Sequence, residues 1–536
     1  MAARSIRRTI AALAVGALAG TALVAAPADA APPPDKDLRK LLSGVKLNDL
    51  LKHERNLQKV SDANGGNRAS GLPGYDESVD YIVRQLTKAG YEPEVQQFDF
   101  LFAEERSELE RITPDPVTFV EGTDFLRNAF DTGTPEGEAT GSLFLADVRL
   151  DAPGLPPNTS TSGCEAEDFA GMPTGAIALV QRGTCGFAVK VLNAQAAGAA
   201  GVVVMNEGQP GRTGLVGMIG DATGLTIPAV FTTFDAGANL GSTPGATVRV
   251  EVDFDEEIRP TYNVFAETRR GDDSNVVMAG AHLDGVQAGA GINDNGSGSA
   301  ALLETAIEFR KINPTNTVRF AWWGAEESGL LGSEHYVANL TQEEIDEIAL
   351  YLNFDMIASP NYQFGIYDGD NSGGTAPPGF IPPGSAEIED VFEAFYTERG
   401  LPFNDSEFSG RSDYGPFIAV GIPAGGLFTG AEGVKTEEQA QAYGGAAGAA
   451  YDPCYHLFCD NYYGDGQDEA LYDQLREDYD LVGNLNTFAF DVNADAAATA
   501  VFTFAMDTSS LPEAEPAAAV TTARVATHEA AGREAA

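Results

Sequence analysis

Apolar positions recur along this chain with two different periods, and the places where the period changes divide it. Over residues 38–60 they come at helical spacing, and the loop Gly65-Gly66-Asn67-Arg68 follows. Residues 78–89 predict an amphipathic helix, with Val79, Ile82, Val83 and Leu86 on one face and Gly90 as its stop. Residues 95–102 alternate as a strand does. Residues 111–257 change character. They are rich in Gly, Pro and Thr, with short β-like runs at 176–180, 201–205 and 247–252 around one helix at 187–197. This reads as a small α/β unit inserted between residues 31–110 and residues 258–508 of a larger domain.

After Arg259 strands and helices alternate. Residues 275–281, 317–324 and 348–354 are apolar enough to be buried on both faces, and 420–428 adds a further strand. Residues 296–311 and 470–490 read as helices. The pattern predicts an α/β fold, a mainly parallel mixed sheet with helices on both faces. Residues 509–536 are rich in Ala and Glu without an apolar period, and read as a disordered tail.

Residues 1–30 carry the signs of an export signal. Arg4, Arg7 and Arg8 precede a short apolar run, and Ala28-Asp29-Ala30 fits a small-x-small cleavage pattern. No later segment is long and apolar enough to span a bilayer. The expectation is a secreted, monomeric chain free of the membrane once the signal is cut.

Composition narrows this further. A length of 536 residues exceeds the usual single core, which agrees with two folded units. The formal charge of −46 argues against nucleic acid as a partner, since phosphate binding needs clustered Lys and Arg. Four cysteines, Cys164, Cys185, Cys454 and Cys459, suggest two disulfides in an exported chain. Three pairings are possible, of which 164–185 with 454–459 is the simplest.

The candidate chemistry lies at strand ends. His282 and Asp284 follow the strand ending at Ala281, Glu326 and Glu327 follow the one ending near Gly324, and Asp355 ends the run 348–354. Asp294 sits in the Gly-rich loop Gly291-Ile-Asn-Asp-Asn-Gly-Ser-Gly298. In open α/β sheets, sites form beyond the carboxyl ends of the strands, so these residues share one edge. Singly, each would pass for a surface histidine, a turn or a cap. The other histidines, His53, His335 and His528, have no comparable setting. Imidazole with carboxylate suits zinc, whereas magnesium and calcium favour all-oxygen ligation.

His282-Leu-Asp284, the Asp294 loop, Glu326-Glu327, Asn353-Phe-Asp355-Met and Cys454-Tyr-His456 together resemble the co-catalytic zinc aminopeptidases of bacterial secreted type. The stretch Cys164 … Gln181-Arg-Gly-Thr-Cys185-Gly-Phe … Gly201-Val-Val-Val resembles a protease-associated domain, which some branches of that family insert at this place. The resemblance implies two zinc ions per chain. Asp294 would bridge them, His282 and Asp355 would complete one site, and Glu327 and His456 the other. It implies Glu326 as general base, Tyr455 as donor to the oxyanion, and Asp284 as partner of the far ring nitrogen of His282. It also implies a cis peptide after Asp294. Arg411, in Gly410-Arg-Ser-Asp-Tyr-Gly415, would contact substrate, or else pair with Asp413.

The implied activity is removal of the N-terminal residue, large and apolar like Leu, from peptides or proteins. Glutamate carboxypeptidases, glutaminyl cyclases and receptor-like binding proteins share the family. A carboxypeptidase would need a cationic pocket, a cyclase would be expected to work with one zinc, and a receptor would usually have lost ligands. The inserted domain has no ligand-like cluster and would border the mouth of the site.

Overall fold

A computed structural model describes residues 36–512, except 123, 128–134, 152–153, 210–211 and 216–221. The export signal expected over 1–30 and nearly all of the tail expected over 509–536 therefore lie outside the described residues.

The main sheet has eight strands, in the order Glu94–Glu105, Phe254–Glu267, Asn316–Trp323, Asp272–His282, Ile348–Phe354, Ala424–Phe428, Gly365–Tyr367 and Asn404–Ser406. From Asn316–Trp323 to Ala424–Phe428 neighbours run parallel. The two strands before them pair antiparallel, and Gly365–Tyr367 runs against Ala424–Phe428. The parallel centre is where the apolar runs are continuous, because both of its faces are covered. Helices Leu47–Ala63, Pro73–Ala89, Gly298–Phe309, Ser385–Arg399 and Thr487–Met506 contribute to the core on one face. Leu331–Ala338 and Tyr414–Ala419 cover the other, around Trp323, Tyr351 and Phe417. Tyr351 and Phe417 stack there with ring centroids 4.0 Å apart.

The antiparallel ribbon of Glu94–Glu105 and Phe254–Glu267 carries the chain out to a second sheet and back, in register from Glu94 opposite Phe265 to Glu105 opposite Phe254. That sheet also has eight strands, from Val117–Phe119 at one edge to Phe125–Leu126 at the other, with its own apolar cores. Its parallel part, Gly137–Leu145, Ile177–Gln181, Gly201–Met205 and Ala229–Thr232, carries the helix Phe187–Ala196. The disulfide Cys164–Cys185 lies in this unit and Cys454–Cys459 in the main one, so the simplest pairing holds. Among the described residues no helix is long and apolar enough to cross a membrane.

Two sequence expectations need correction. The single helix expected over 38–60 is two, Lys36–Leu42 and Leu47–Ala63. The break falls at Gly44, which lies so close to the Glu308 side chain that a Cβ would collide with it. The helix expected over 470–490 is also interrupted. Glu469–Asp478 ends, Leu481–Val482 and Leu485–Asn486 form a hairpin, and Thr487–Met506 begins. Gly483 turns the hairpin at a φ of 55°. Asn486 then starts the new helix, its side chain accepting the N–H groups of Phe488 and Ala489. Such a cap is worth about 1 kcal/mol.

Candidate metal centre

Three adjacent parallel strands deliver their residues to one edge. His282 is the last residue of its strand, Glu326 and Glu327 follow Asn316–Trp323, and Asp355 follows Ile348–Phe354. The chain turns sharply at two of these exits. Ala325 and Met356, beside Glu326 and Asp355, have φ of 53° and 47°, and His456 itself has 57°. Such left-handed backbone costs a non-glycine residue on the order of 1–3 kcal/mol, and it concentrates where side chains must be aimed.

Asp294 stands at the centre. Its Oδ1 lies 3.3 Å from Nε2 of His282, and its Oδ2 lies 3.3 Å from Nε2 of His456. Around the first histidine, Asp355 Oδ1 is 3.2 Å and Glu326 Oε2 3.9 Å from Nε2. Around the second, Glu327 Oε2 is 3.0 Å from Nε2. The five residues thus form two groups that share one carboxylate. His282 and Asp294 are buried, while the His456 side chain is 41% exposed. The peptide between Asp294 and Asn295 is cis, as the resemblance implied.

The electrostatics are those of an anionic pocket. Against burial, which disfavours the charge, Asp355 and Glu326 push His282 well up. Glu327 and Asp294 push His456 well up against its partial burial. Asp294 is drawn below the usual carboxylate range, because the hydrogen bonds from both histidines outweigh its burial. Burial pushes Glu326 and Glu327 up. The histidines thus take up protons at the places where a divalent cation's charge would sit, and a cation binds in competition with them. Oε1 of Glu327 is buried without a hydrogen-bond partner. A buried carboxylate oxygen left without a donor is costly, and a cation satisfies it. Two imidazoles with carboxylates fit zinc-like ions, and the residues present fit such a group.

The surroundings hold these side chains in place. Nδ1 of His282 meets the main-chain carbonyl of Asp284 at 3.1 Å. The Asp284 carboxylate is 3.8 Å from that nitrogen, beyond hydrogen-bond reach, and instead accepts the Glu326 N–H at 3.3 Å. The resemblance implied Asp284 as partner of this nitrogen; the group that meets it is the Asp284 main-chain carbonyl, not the carboxylate. Ser412 donates to Asp355 Oδ2 at 2.6 Å. The asparagines on either side of Asp294 staple it to neighbouring loops. Asn295 donates to the Phe354 carbonyl at 2.9 Å and accepts the Met356 N–H at 3.2 Å, which brackets Asp355. Asn293 donates to Asp452 at 2.6 Å and accepts the Ala358 N–H at 3.2 Å. Gly298 packs on the Phe354 carbonyl where a Cβ would not fit.

Tyr455 stacks on His456, ring centroids 3.8 Å apart. Burial, then the nearby Asp294 and Glu327, push its hydroxyl well up, so it stays protonated and able to donate. Arg411 pairs with Glu432 at 3.2 Å, and not with Asp413. Asp413 is fully buried behind the site, and burial pushes it up to about 7. The inserted unit reaches this edge. Gln287 Nε2 donates to the Ala103 carbonyl of the ribbon at 2.7 Å, and Gly122 lies against Ala288.

The sequence did not point to Ser412, Asn293, Asn295 or Asp452. The asparagines flanking Asp294 were the available signal. Two carboxamides beside one buried acid have hydrogen-bond capacity that a solvent turn does not need.

Residues 263–468 match the model of peptidase family M28, and residues 140–240 match the PA domain. An aminopeptidase of Pseudomonas aeruginosa is 47% identical over 458 residues, covering 85% of this chain and 80% of its own. Leucine aminopeptidase 2 of Trichophyton equinum is 39% identical over 478 residues, covering 88% and 87%. The solved zinc aminopeptidase of Bacillus subtilis matches in fold, with a TM-score of 0.58 and 20% identity over 88% of this chain and 97% of that one. The chain belongs to peptidase family M28, with a PA domain set into its peptidase fold.

Proposed function

We propose that this protein is a secreted aminopeptidase that holds two zinc ions and removes N-terminal residues, preferably large apolar ones, from peptides. The observation that carries the reading is the placement of Asp294, whose two oxygens each face a different histidine at 3.3 Å. His282 and Asp355 would hold one ion, Glu327 and His456 the other, and Asp294 both. When bound, the ions supply Lewis acidity that polarises the scissile carbonyl and makes water easier to deprotonate.

The chain's own groups do the rest. Glu326 takes the proton of the attacking water and hands it on to the leaving nitrogen. Tyr455 donates to the oxygen that gains charge. Glu326 and Asp355 offer carboxylates to the substrate's free ammonium group. The names of the relatives support removal of N-terminal residues, leucine among them. Two disulfides and the signal-like start support secretion. The pairing of Arg411 with Glu432 speaks against a carboxypeptidase, because it neutralises the cation that would meet a substrate carboxylate.

Hydrolysis of Leu-p-nitroanilide tests the proposal. It should be abolished by chelation, restored by zinc, and absent in Glu326→Ala. Cleavage of amino-blocked peptides ending in Glu, in place of the free-amine substrate, overturns it.

A further inference from the structure

His456 is the ligand with the weakest local support. No strand leads to it, and it lies in the short loop closed by Cys454–Cys459. The disulfide tightens that loop but does not tie it to the sheet. Two buried carboxylates on either side of it do. Asp460 accepts the main-chain N–H groups of Asn293 at 2.9 Å and Asp294 at 3.0 Å. Asp452 accepts the Asn293 side-chain amide at 2.6 Å and the Cys454 N–H at 2.8 Å. The segment that bears Asp294 and the loop that bears His456 are therefore bonded to each other directly.

Two buried carboxylates this close repel, and something must lie between them. That group is Asn484, at the turn of the hairpin that interrupts the C-terminal helices. It is fully buried. Its Nδ2 lies 3.0 Å from each oxygen of Asp452 and 2.9 Å from Asp460 Oδ1. Its Oδ1 accepts the Tyr472 hydroxyl at 2.5 Å, which fixes the orientation of the amide. Its main-chain N–H donates to the Asn461 carbonyl at 3.0 Å.

We propose that Asn484 is a positioning residue, the shared donor that clamps Asp452 to Asp460 and thereby sets His456 against Asp294. The inference rests on the two-ion reading above. Without the donor, Asp452 and Asp460 keep their bonds to Asn293, Asp294 and Cys454 but face each other with nothing between them, and the 452–460 loop moves out. That separates His456 and leaves His282 and Asp355, on their strand ends, where they were. The loss should fall on one ion and spare the other.

The test is a zinc titration by equilibrium dialysis on the full metal-free chain and on Asn484→Leu, with Tyr396→Phe as a control. Tyr396 donates to Asn493 at 2.6 Å in the helical layer, and its loss lowers stability without removing any hydrogen bond to the 452–460 loop. The expected result is two tight equivalents for wild type and for Tyr396→Phe. Asn484→Leu should keep one tight equivalent and bind the second about 10–100-fold more weakly, as losses around metal ligands usually do. Its kcat on Leu-p-nitroanilide should fall at limiting zinc and recover in excess zinc. A wild type that holds one equivalent overturns the two-ion reading, and the inference with it. A wild type holding two beside an Asn484→Leu that holds two at unchanged affinity overturns the inference alone. Equal weakening of both equivalents, in Tyr396→Phe as well, also overturns it. Should Asn484→Leu fail to fold, Asp452→Asn keeps the side-chain shape while turning an acceptor of the Asn484 amide into a donor, and the same titration carries the same expectation.

Discussion

Ser412 donates its hydroxyl hydrogen to Asp355 Oδ2 at 2.6 Å, and itself accepts from Asn353 Nδ2 at 2.8 Å. The serine is thus the middle of a chain that starts on the strand leading to Asp355 and returns to its carboxylate. It occupies one oxygen and leaves Oδ1 aimed at His282. Ser412→Ala removes the donor and frees the carboxylate to rotate. Chelator competition should show the ion at the His282 side bound about 10–100-fold more weakly. Global stability should drop by only about 1 kcal/mol. Ser412→Thr keeps the hydroxyl and should retain most of the affinity.

Arg68 supports the loop between His282 and Asp294 from below. It is fully buried, and its guanidinium donates to the carbonyls of Leu283, of Ala290 at 2.7 Å and of Gly291 at 2.6 Å. Arg68→Met is of similar size but orphans the Leu283 and Ala290 carbonyls, while Gly291 keeps the Gly296 N–H. Each orphan costs on the order of 1–3 kcal/mol, so denaturant unfolding should show a loss of about 2 kcal/mol or more. Arg68→Lys should recover only part, because one ammonium group lacks the planar fork that reaches three carbonyls.

How far the sequence led can be read from these residues. His282, Glu327 and Asp355 were legible because continuous apolar runs name the buried parallel strands, and a strand's end says where its next residue points. Asp294 was legible from its Gly-rich loop. His456 came only with the resemblance, since its place depends on Asp452, Asp460 and Asn484. Acids and amides in loops read locally as turn formers, and nothing in the sequence says which distant amide an acid will meet. The order of strands was equally hidden. Gly365–Tyr367 and Asn404–Ser406 are three-residue strands built largely of Gly, Asn, Asp and Ser, and only sheet pairing makes them strands.

Glu389 gives a pH-dependent prediction away from the centre. Burial, with Asp370, Asp368 and Asp405 nearby, pushes it from an ordinary 4.5 up to about 8. The folded chain therefore holds this proton where the unfolded chain has released it. The stabilisation is complete below about 4.5 and is lost as pH rises through about 8. Glu389→Gln carries a neutral group at every pH. Urea unfolding should find it close to wild type at pH 5 and more stable than wild type at pH 8.5. A difference that runs the other way, with wild type gaining on the variant at high pH, contradicts the assignment.

The two disulfides should behave differently when removed. Loop-closure entropy grows with the separation closed. It predicts a loss of about 2 kcal/mol for Cys454–Cys459, at a separation of 5, and about 3 kcal/mol for Cys164–Cys185, at a separation of 21. The wider loop lies in the PA domain, far in sequence from the ligands. The paired change Cys164→Ser with Cys185→Ser should lower the melting temperature and leave kcat on Leu-p-nitroanilide within about twofold, since the lost term acts on the unfolded chain. The tighter loop holds Tyr455 and His456 between its ends. Changing Cys454 and Cys459 to Ser should cost less stability but reduce kcat by at least tenfold, because both a metal ligand and the oxyanion donor lose their fixed backbone. Measured side by side, the variant that is the more stable of the two should be the less active. Equal losses of activity in both would mean that the short loop is held by Asp452 and Asp460 alone, and that its disulfide adds nothing to the site.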